Sequence, residues 1–192
     1  GAIVGDKNVG IGNSALASIA DADRNTCLGH KSGYNISTGD NNIMIGFETG
    51  ITGSPGGNIT SGSNEIVLGD ENITESHIQV DWTVASDKRD KTDVTNLDLG
   101  LEFINKLTPV TYKWDKRSKY IDKHDPSADL NAKTTDGTHK EDWLDVGFLA
   151  QDVAEIEESY NYKISNKTNL TTSLSQDGKQ YGTKYNKFVP ML

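Results

Sequence analysis

The chain has 192 residues, of which only 34% are hydrophobic and 24% are charged, so the composition favours two small modules over one large core. The formal net charge of −9 disfavours nucleic acid as a partner, because surfaces that bind phosphates depend on clustered Lys and Arg. The single cysteine, Cys27, cannot form an intrachain disulfide, and no apolar run approaches the roughly 20 residues of a membrane helix. We therefore expect a soluble chain matured under reducing conditions, without membrane insertion. It opens at residues 1–5 inside a patterned region and is expected to be the C-terminal part of a longer protein.

Repeats define the first predicted module, residues 1–75. The copies "NVGIGNSAL", "NTCLGHKSG" and "NIMIGFETG" begin at Asn8, Asn25 and Asn42, a spacing of 17 residues, and "EIVLGDENI" begins at Glu65 after a step of 23 residues. The additional residues fall at "GSPGGN" (53–58), where Gly and Pro indicate an enlarged turn. Each copy consists of a short apolar strand, a glycine and a polar turn.

This repeat pattern predicts an all-β, glycine-rich β-helix, or β-solenoid, in which stacked copies bury an apolar stripe against their neighbours. Four copies make a marginal core for one chain, so we expect three chains to wind together as a triple β-helix in a homotrimer. The alternative is an open β-meander with glycine turns. In pattern, the repeats resemble the β-helical repeats of trimeric adhesins and phage fibres.

The remaining sequence predicts a connecting strand and a mixed α+β domain. In residues 76–86, "SHIQVDWTVAS", apolar and polar side chains alternate as in a half-buried strand that leads to the cleavage site described below. Residues 87–192 form the second module. Within it, helical spacing over 97–107 ends at Pro109, and a strand follows through Tyr112 and Trp114. A polar loop is predicted over 117–142, then a short strand and an amphipathic helix in "DVGFLAQDVAEIEES", then a terminal strand and a short helix.

Four motifs in the second module carry a family resemblance. In order, "SDKRDKTDV", "LEFINKLTPVTYKW", "DVGFLAQDVAEI" and "YGTKYNKFVPML" resemble the intramolecular chaperone domain of endosialidases and phage tail fibres, also classed as an autoproteolytic peptidase family. The resemblance covers residues 85–192. The family pattern has a Ser-Asp pair, an arginine and a lysine, which here are Ser86, Asp87, Arg89 and Lys91. Two features depart from it: Asp90 stands where relatives often carry an apolar residue, and the 117–142 insertion is particular to this chain.

The resemblance implies a Ser-Lys dyad made of Ser86 and Lys91. A serine hydroxyl is a poor nucleophile unless a base takes its proton, and a lysine is a base only when it is neutral. The pKa of such a lysine must fall from roughly 10.4 toward about 7–8, through burial or through neighbouring cations. Lys88 and Arg89 are the supporting cations in this segment.

The resemblance also implies that the chain is cut at a peptide bond next to Ser86. Cleavage between Ser86 and Asp87 is the favoured prediction, and the sequence leaves the bond between Ala85 and Ser86 open as the alternative. No cofactor and no metal are expected. His124, Asp125 and His139 lack a repeated ligand spacing, so we interpret them as residues of a solvated loop.

The implied function is that of a phage tail fibre or tailspike whose C-terminal chaperone domain trimerises, sets the register of the β-helix and is released by self-cleavage. The mature fibre would belong to the virion after assembly in the host cytoplasm, without the released domain, and a host cell-surface receptor is a candidate partner of the fibre part. The alternative is a non-cleaving trimeric adhesin or receptor-binding tip with a permanent C-terminal cap. A glycosidase is disfavoured, since Asp70, Glu71 and Glu75 are interpreted as acidic turn residues on a solvent face.

Overall fold

Four short parallel strands form the N-terminal part of the chain. The computed structural model describes residues 5–125 and 128–192; residues 1–4, predicted to belong to the repeats, and residues 126–127 of the insertion lie outside the described residues. One sheet holds β1 (Val9–Ile11), β2 (Thr26–Leu28), β3 (Ile43–Ile45) and β4 (Ile66–Leu68) in chain order. The first residues of these strands pair with one another across each parallel step, so the strand register follows the 17- and 23-residue spacing of the repeats.

The interior of this sheet is built from the central residues of β2, β3 and β4. Cys27, Met44 and Val67 are buried, while the residues that flank them in the strands point outward, because successive side chains of a strand face opposite sides. Apolar residues of the turns complete the core, among them Leu16, Ala22, Ile36 and Ile59.

An asparagine ladder joins the copies at the start of each strand. The Oδ1 of Asn25 accepts a hydrogen bond from the backbone N–H of Asn42 at 3.0 Å, and its Nδ2 donates to the Gly39 carbonyl at 2.8 Å. Asn8 and Asn42 make the same two kinds of bond one copy earlier and one copy later. The recurring asparagine therefore satisfies backbone groups of the turns that would otherwise be buried without partners.

Glycine is required where each strand ends because consecutive copies approach closely there. A Cβ built on Gly12 would lie 2.3 Å from the Gly29 carbonyl oxygen, and one on Gly29 would lie 2.2 Å from that of Gly46. Both Gly12 and Gly29 have φ near +130°, a region that L side chains rarely adopt. The glycines of the first three copies are therefore required by conformation and by close backbone contact.

The C-terminal part combines helices with two small antiparallel sheets. Strand β5 (Val110–Tyr112) pairs with β6 (Asp145–Gly147), and β7 (Thr172–Leu174) pairs with β8 (Tyr181–Thr183). The α-helices are α1 (Leu101–Ile104) and α2 (Ala150–Ser159). Short 3₁₀ turns occupy Lys88–Asp90, Arg117–Tyr120, Leu130–Ala132, Tyr185–Lys187 and Val189–Met191. The buried core consists of Leu99, Phe103, Val153, Phe188 and Met191.

A buried carboxylate fastens the second sheet to α2. Glu157 is fully buried and accepts hydrogen bonds from the Thr171 backbone N–H at 2.5 Å, from the Thr171 hydroxyl at 2.7 Å and from the Thr172 hydroxyl. Because all three donors stand at the entrance to β7, Glu157 sets where that strand begins.

Three predicted elements differ from the structure. The strand predicted over 76–86 is not formed: residues 72–98 are exposed, and within residues 5–125 and 128–192 no strand pairs with this stretch. The helix predicted over 97–107 is reduced to α1, in which Phe103 is buried. The 117–142 insertion is not a fully solvated loop, since Leu130 and Ser118 are buried.

Candidate functional site

A single 3₁₀ turn brings the predicted nucleophile and base together. Lys91 Nζ lies 2.6 Å from Ser86 Oγ, within hydrogen-bond reach. Between them, Asp87 caps the turn Lys88–Asp90: its Oδ1 accepts from the Arg89 backbone N–H at 2.9 Å. The turn closes with the Lys91 N–H donating to the Lys88 carbonyl at 3.3 Å. The five-residue spacing of serine and lysine therefore corresponds to one tight turn that returns the lysine side chain to the serine.

Arg89 pairs with Asp87 and not with Ser86. Its Nε donates to Asp87 Oδ1 at 3.1 Å and a terminal guanidinium nitrogen donates to Oδ2 at 2.6 Å. These side-chain bonds, with the backbone bond from Arg89, lower the pKa of the Asp87 carboxyl, and the same side-chain bond raises the pKa of the Arg89 guanidinium. Asp87 is therefore held ionised as the cap of the turn.

Both members of the pair are open to solvent. Ser86, Lys91 and the whole stretch 72–98 are exposed in the single chain. Burial is the usual means of favouring a neutral lysine, and one chain does not supply it here. Lys88 contributes a nearby cation from the same turn and is likewise exposed.

The histidine closest in sequence is not a partner of the serine. His77 Nε2 lies 2.9 Å from Glu75 Oε2, and both side chains are exposed. Among the residues that the structure describes, Lys91 is the basic side chain with a hydrogen bond to Ser86.

Two acidic residues occupy an environment that the sequence interpretation missed. Asp70 and Glu71 were expected on a solvent face, but both are buried. Asp70 Oδ1 accepts from the Asn72 backbone N–H at 3.0 Å, and Glu71 Oε1 accepts from Lys123 Nζ at 2.6 Å. The expectation was wrong because the insertion packs against the last repeats, which the repeat pattern alone does not indicate.

The loop histidines likewise have specific neighbours. His124 Nε2 lies 2.9 Å from Glu48 Oε1, and the His139 ring makes an edge contact with the Tyr120 ring at 4.7 Å between centroids. Within residues 5–125 and 128–192, no group of three or more His, Cys, Asp or Glu side chains is arranged to hold a metal ion. None of the helices in those residues is both long and apolar enough to cross a membrane.

Comparison with known proteins identifies the segment that begins at the candidate nucleophile. Residues 86–162 match a peptidase family described as chaperone of endosialidase, which confirms the predicted resemblance over that range. The matched range starts at Ser86 and contains β5, β6 and α2, and it ends before β7. No curated protein and no solved structure matches the chain.

Proposed function

We propose that residues 87–192 act as an intramolecular chaperone for a trimeric β-helical fibre, and that the chain cuts itself beside Ser86 with Ser86 as nucleophile and Lys91 as base. The observation that carries this proposal is the 2.6 Å contact between Lys91 Nζ and Ser86 Oγ at the first residue of the family match. In this view the protein is the C-terminal part of a phage tail fibre or tailspike.

The chemical step uses one proton relay and one water. Neutral Lys91 takes the proton of the Ser86 hydroxyl, and Oγ forms a bond to the carbonyl carbon of the scissile peptide. The C–N bond then breaks, and the leaving amine takes the proton back from the Lys91 ammonium. Water hydrolyses the resulting ester, which leaves a new carboxylate and restores the serine hydroxyl.

Ring strain distinguishes the two candidate bonds. Attack on the carbonyl of Ala85 passes through a relaxed ring and moves that acyl group from the Ser86 nitrogen to its oxygen. Attack by Ser86 on its own carbonyl would close a strained lactone. A cut between Ser86 and Asp87 would therefore need the hydroxyl of a neighbouring chain, which a trimer can supply. The fragment masses report which bond breaks.

An exposed apolar sheet face supports the trimer. The outward residues of β1 to β4 form two columns, and Ile11, Ile45, Ile66 and Leu68 are 63%, 42%, 69% and 53% exposed. Large contiguous apolar patches mark contact surfaces in soluble proteins. Three copies placed around one axis would cover one another's patches, as a triple β-helix requires.

The connecting segment points to the same assembly. Ile78, Val80, Trp82 and Val84 alternate with polar residues and are all more than half exposed in one chain. Pairing with neighbouring chains would supply the missing strand partners and would also bury the nearby Ser86 and Lys91. Cleavage would then follow assembly.

Assembly before cleavage explains what the chaperone contributes to the fibre. Repeats with a similar apolar pattern can pair in slipped registers, and a domain that holds three chain ends together raises their effective concentration in one register. Removal of the covalent link after folding takes away the connection through which unfolding of the chaperone could propagate into the fibre, so the fibre gains kinetic stability.

The test is an intact-mass measurement and a denaturing gel of the parent beside Ser86→Ala, Lys91→Ala and the charge-matched control Lys140→Ala, which removes an exposed lysine outside the site. We expect the parent and the control to give fragments 1–86 and 87–192, or 1–85 and 86–192, and the two site variants to stay whole. Intact parent protein in a trimer of native size would refute cleavage and leave a chaperone without peptidase activity.

The exposure of both site residues favours a second candidate, the trimeric receptor-binding tip with a permanent C-terminal cap. In that case Ser86 would stay exposed in the trimer, and the parent chain would remain whole on prolonged incubation. Solvent accessibility of Lys91 in the trimer, read by amine labelling, separates the two candidates.

A further inference from the structure

The repeats and residues 87–192 contact each other outside the linker that joins them, residues 74–97. We propose that Glu48, Glu71 and the enlarged turn 53–58 form a docking surface that keeps residues 87–192 on the last repeats after the chain is cut beside Ser86. Release of the C-terminal part then needs a second event that breaks this surface. The inference rests on the proposed function for the cut itself, but the docking can be tested without it.

The enlarged turn 53–58 packs so closely against the C-terminal part that no further atom fits between them. A Cβ on Gly53 would lie 2.4 Å from Ser118 Cβ, and a Cβ on Gly57 would lie 2.6 Å from Asp177 Oδ1. The Asn58 backbone N–H donates to Asp177 Oδ2 at 2.9 Å. The residues that interrupt the 17-residue spacing are thus among those that contact the second module, which gives the insertion in the repeat a use.

Two buried glutamates of the repeats supply the charged half of the docking surface. Glu48 and Glu71 are 4% and 7% exposed. Lys123 Nζ lies 3.2 Å from Glu48 Oε2 and 2.6 Å from Glu71 Oε1, and His124 Nε2 lies 2.9 Å from Glu48 Oε1. Lys123 and His124 both come from the insertion 117–142, so these contacts join the two modules rather than parts of one.

Lys123 stays charged in this environment. Burial alone would lower the pKa of Lys123, but the hydrogen bonds and charges of Glu71 and Glu48 outweigh burial and raise it. Removing one partner of a buried pair is costly because the other charge is left without compensation. The docking surface therefore resists separation as long as the side chains of Lys123, Glu48 and Glu71 are all present.

The linker contributes little to this contact. Residues 74–97 are exposed, and their hydrogen bonds and ion pairs in the described structure are made within the segment, for example His77 to Glu75 and Arg89 to Asp87. A break beside Ser86 therefore leaves the contacts of Glu48, Glu71 and the turn 53–58 unchanged. Cutting and release are separate events in this chain.

The experiment cuts the linker by two routes and follows the fragments. The first uses the self-cut parent; the second uses a Ser86→Ala variant with the recognition sequence of a site-specific protease placed beside residue 86. Native size-exclusion chromatography at an ionic strength of about 0.15 M reports whether the fragments travel together. Failure of self-cleavage shows only in the first route, so it cannot be mistaken for failure of docking.

Two pairs of matched variants locate the contact. Lys123→Ala removes the bridging cation, and Lys140→Ala removes an exposed lysine of the same insertion. Gly53→Ala adds a methyl against Ser118 at φ +92°, whereas Gly137→Ala adds one at φ +89° with nothing within 4 Å, so backbone strain is matched.

We expect the fragments to co-elute in the parent and in both controls. Lys123→Ala should raise the Kd of the fragments on the order of 100-fold, because it breaks a buried pair. Gly53→Ala should raise that Kd on the order of 10-fold or more, because the added methyl overpacks the contact with Ser118. Separation of the parent fragments immediately after the cut would overturn the proposal. Co-elution that survives both Lys123→Ala and Gly53→Ala would also overturn it, because the fragments would then be held elsewhere.

Discussion

Asp87 and Lys91 are linked through one turn: the Asp87 carboxylate caps the turn Lys88–Asp90, and the residue that follows the turn places Nζ 2.6 Å from Ser86 Oγ. The cap bonds to the Arg89 N–H rather than to either reacting group. Asp87 is therefore a positioning residue, and its effect on the reaction should depend on its ability to accept that hydrogen bond.

Replacement of the cap should slow self-cleavage without abolishing it. Asp87→Ala removes the acceptor of the Arg89 N–H and frees the turn to open, so we expect the rate of fragment formation to fall about fivefold. Asp87→Asn keeps a good capping side chain and should restore most of the rate although the charge is lost. Time courses on denaturing gels give both rates.

Asp90 provides the control for this prediction. It carries the same charge in the same turn and has no side-chain hydrogen bond in the described structure. The Asp90→Ala variant should therefore cleave itself at the parental rate. Equal slowing by Asp87→Asn and Asp87→Ala would show that the charge, and not the cap, matters.

The outward face of the repeat sheet should determine the oligomeric state. Ile45→Lys places a charge among Leu28, Ile11 and Leu68 on that face, and a buried unpaired charge is expensive, so we expect monomers in place of trimers. Sedimentation equilibrium measures the mass directly.

A lysine in a polar turn serves as the comparison for the face variant. Ser61 is exposed away from the strands, and Ser61→Lys should leave the trimer intact. A trimer that tolerates Ile45→Lys would place the contact between chains on another surface and would contradict the axial arrangement proposed for the repeats.

The repeat spacing was accessible from sequence because each copy repeats the same local signals. Asn25 and Asn42 recur at the position where the side chain bonds to the next copy, and the strand pairing follows that spacing. The contact between Glu71 and Lys123 was not accessible, because it joins residues 52 apart across two modules with unrelated patterns. β7 was missed for a similar reason, since it depends on Glu157 rather than on alternation of apolar residues.

The asparagine ladder should contribute strongly to stability. Asn25 is fully buried, and Asn25→Ala leaves the Asn42 N–H and the Gly39 carbonyl without partners. Each unsatisfied buried group costs about 1–3 kcal/mol, so we expect the free energy of unfolding to fall by about 2–5 kcal/mol. Asn13→Ala, in an exposed turn, should change it by less than about 0.5 kcal/mol. Equal stabilities of the two variants in urea titrations would contradict a structural role of the ladder.

Ionisation of the buried thiol should weaken the repeat core at high pH. Burial raises the pKa of Cys27 from its ordinary value of 9.0 to about 11, against a smaller lowering by Ser32. Because the folded state disfavours the thiolate, this contribution to stability is fully present below about pH 9 and is lost as the pH rises through about 11. We expect a loss of up to about 3 kcal/mol in the free energy of unfolding across that window.

Cys27→Ala isolates this effect from the ionisation of tyrosines such as Tyr112, whose pKa burial raises above its ordinary value of 10.0. The variant loses core packing at every pH, so the informative quantity is the difference in slope against pH between parent and variant. We expect the parent to lose stability more steeply above pH 9, and its thiol to react slowly with alkylating reagents at neutral pH. Identical slopes would mean that the thiolate is tolerated in the folded repeats, and that Cys27 is less isolated from water than its burial among the strands implies.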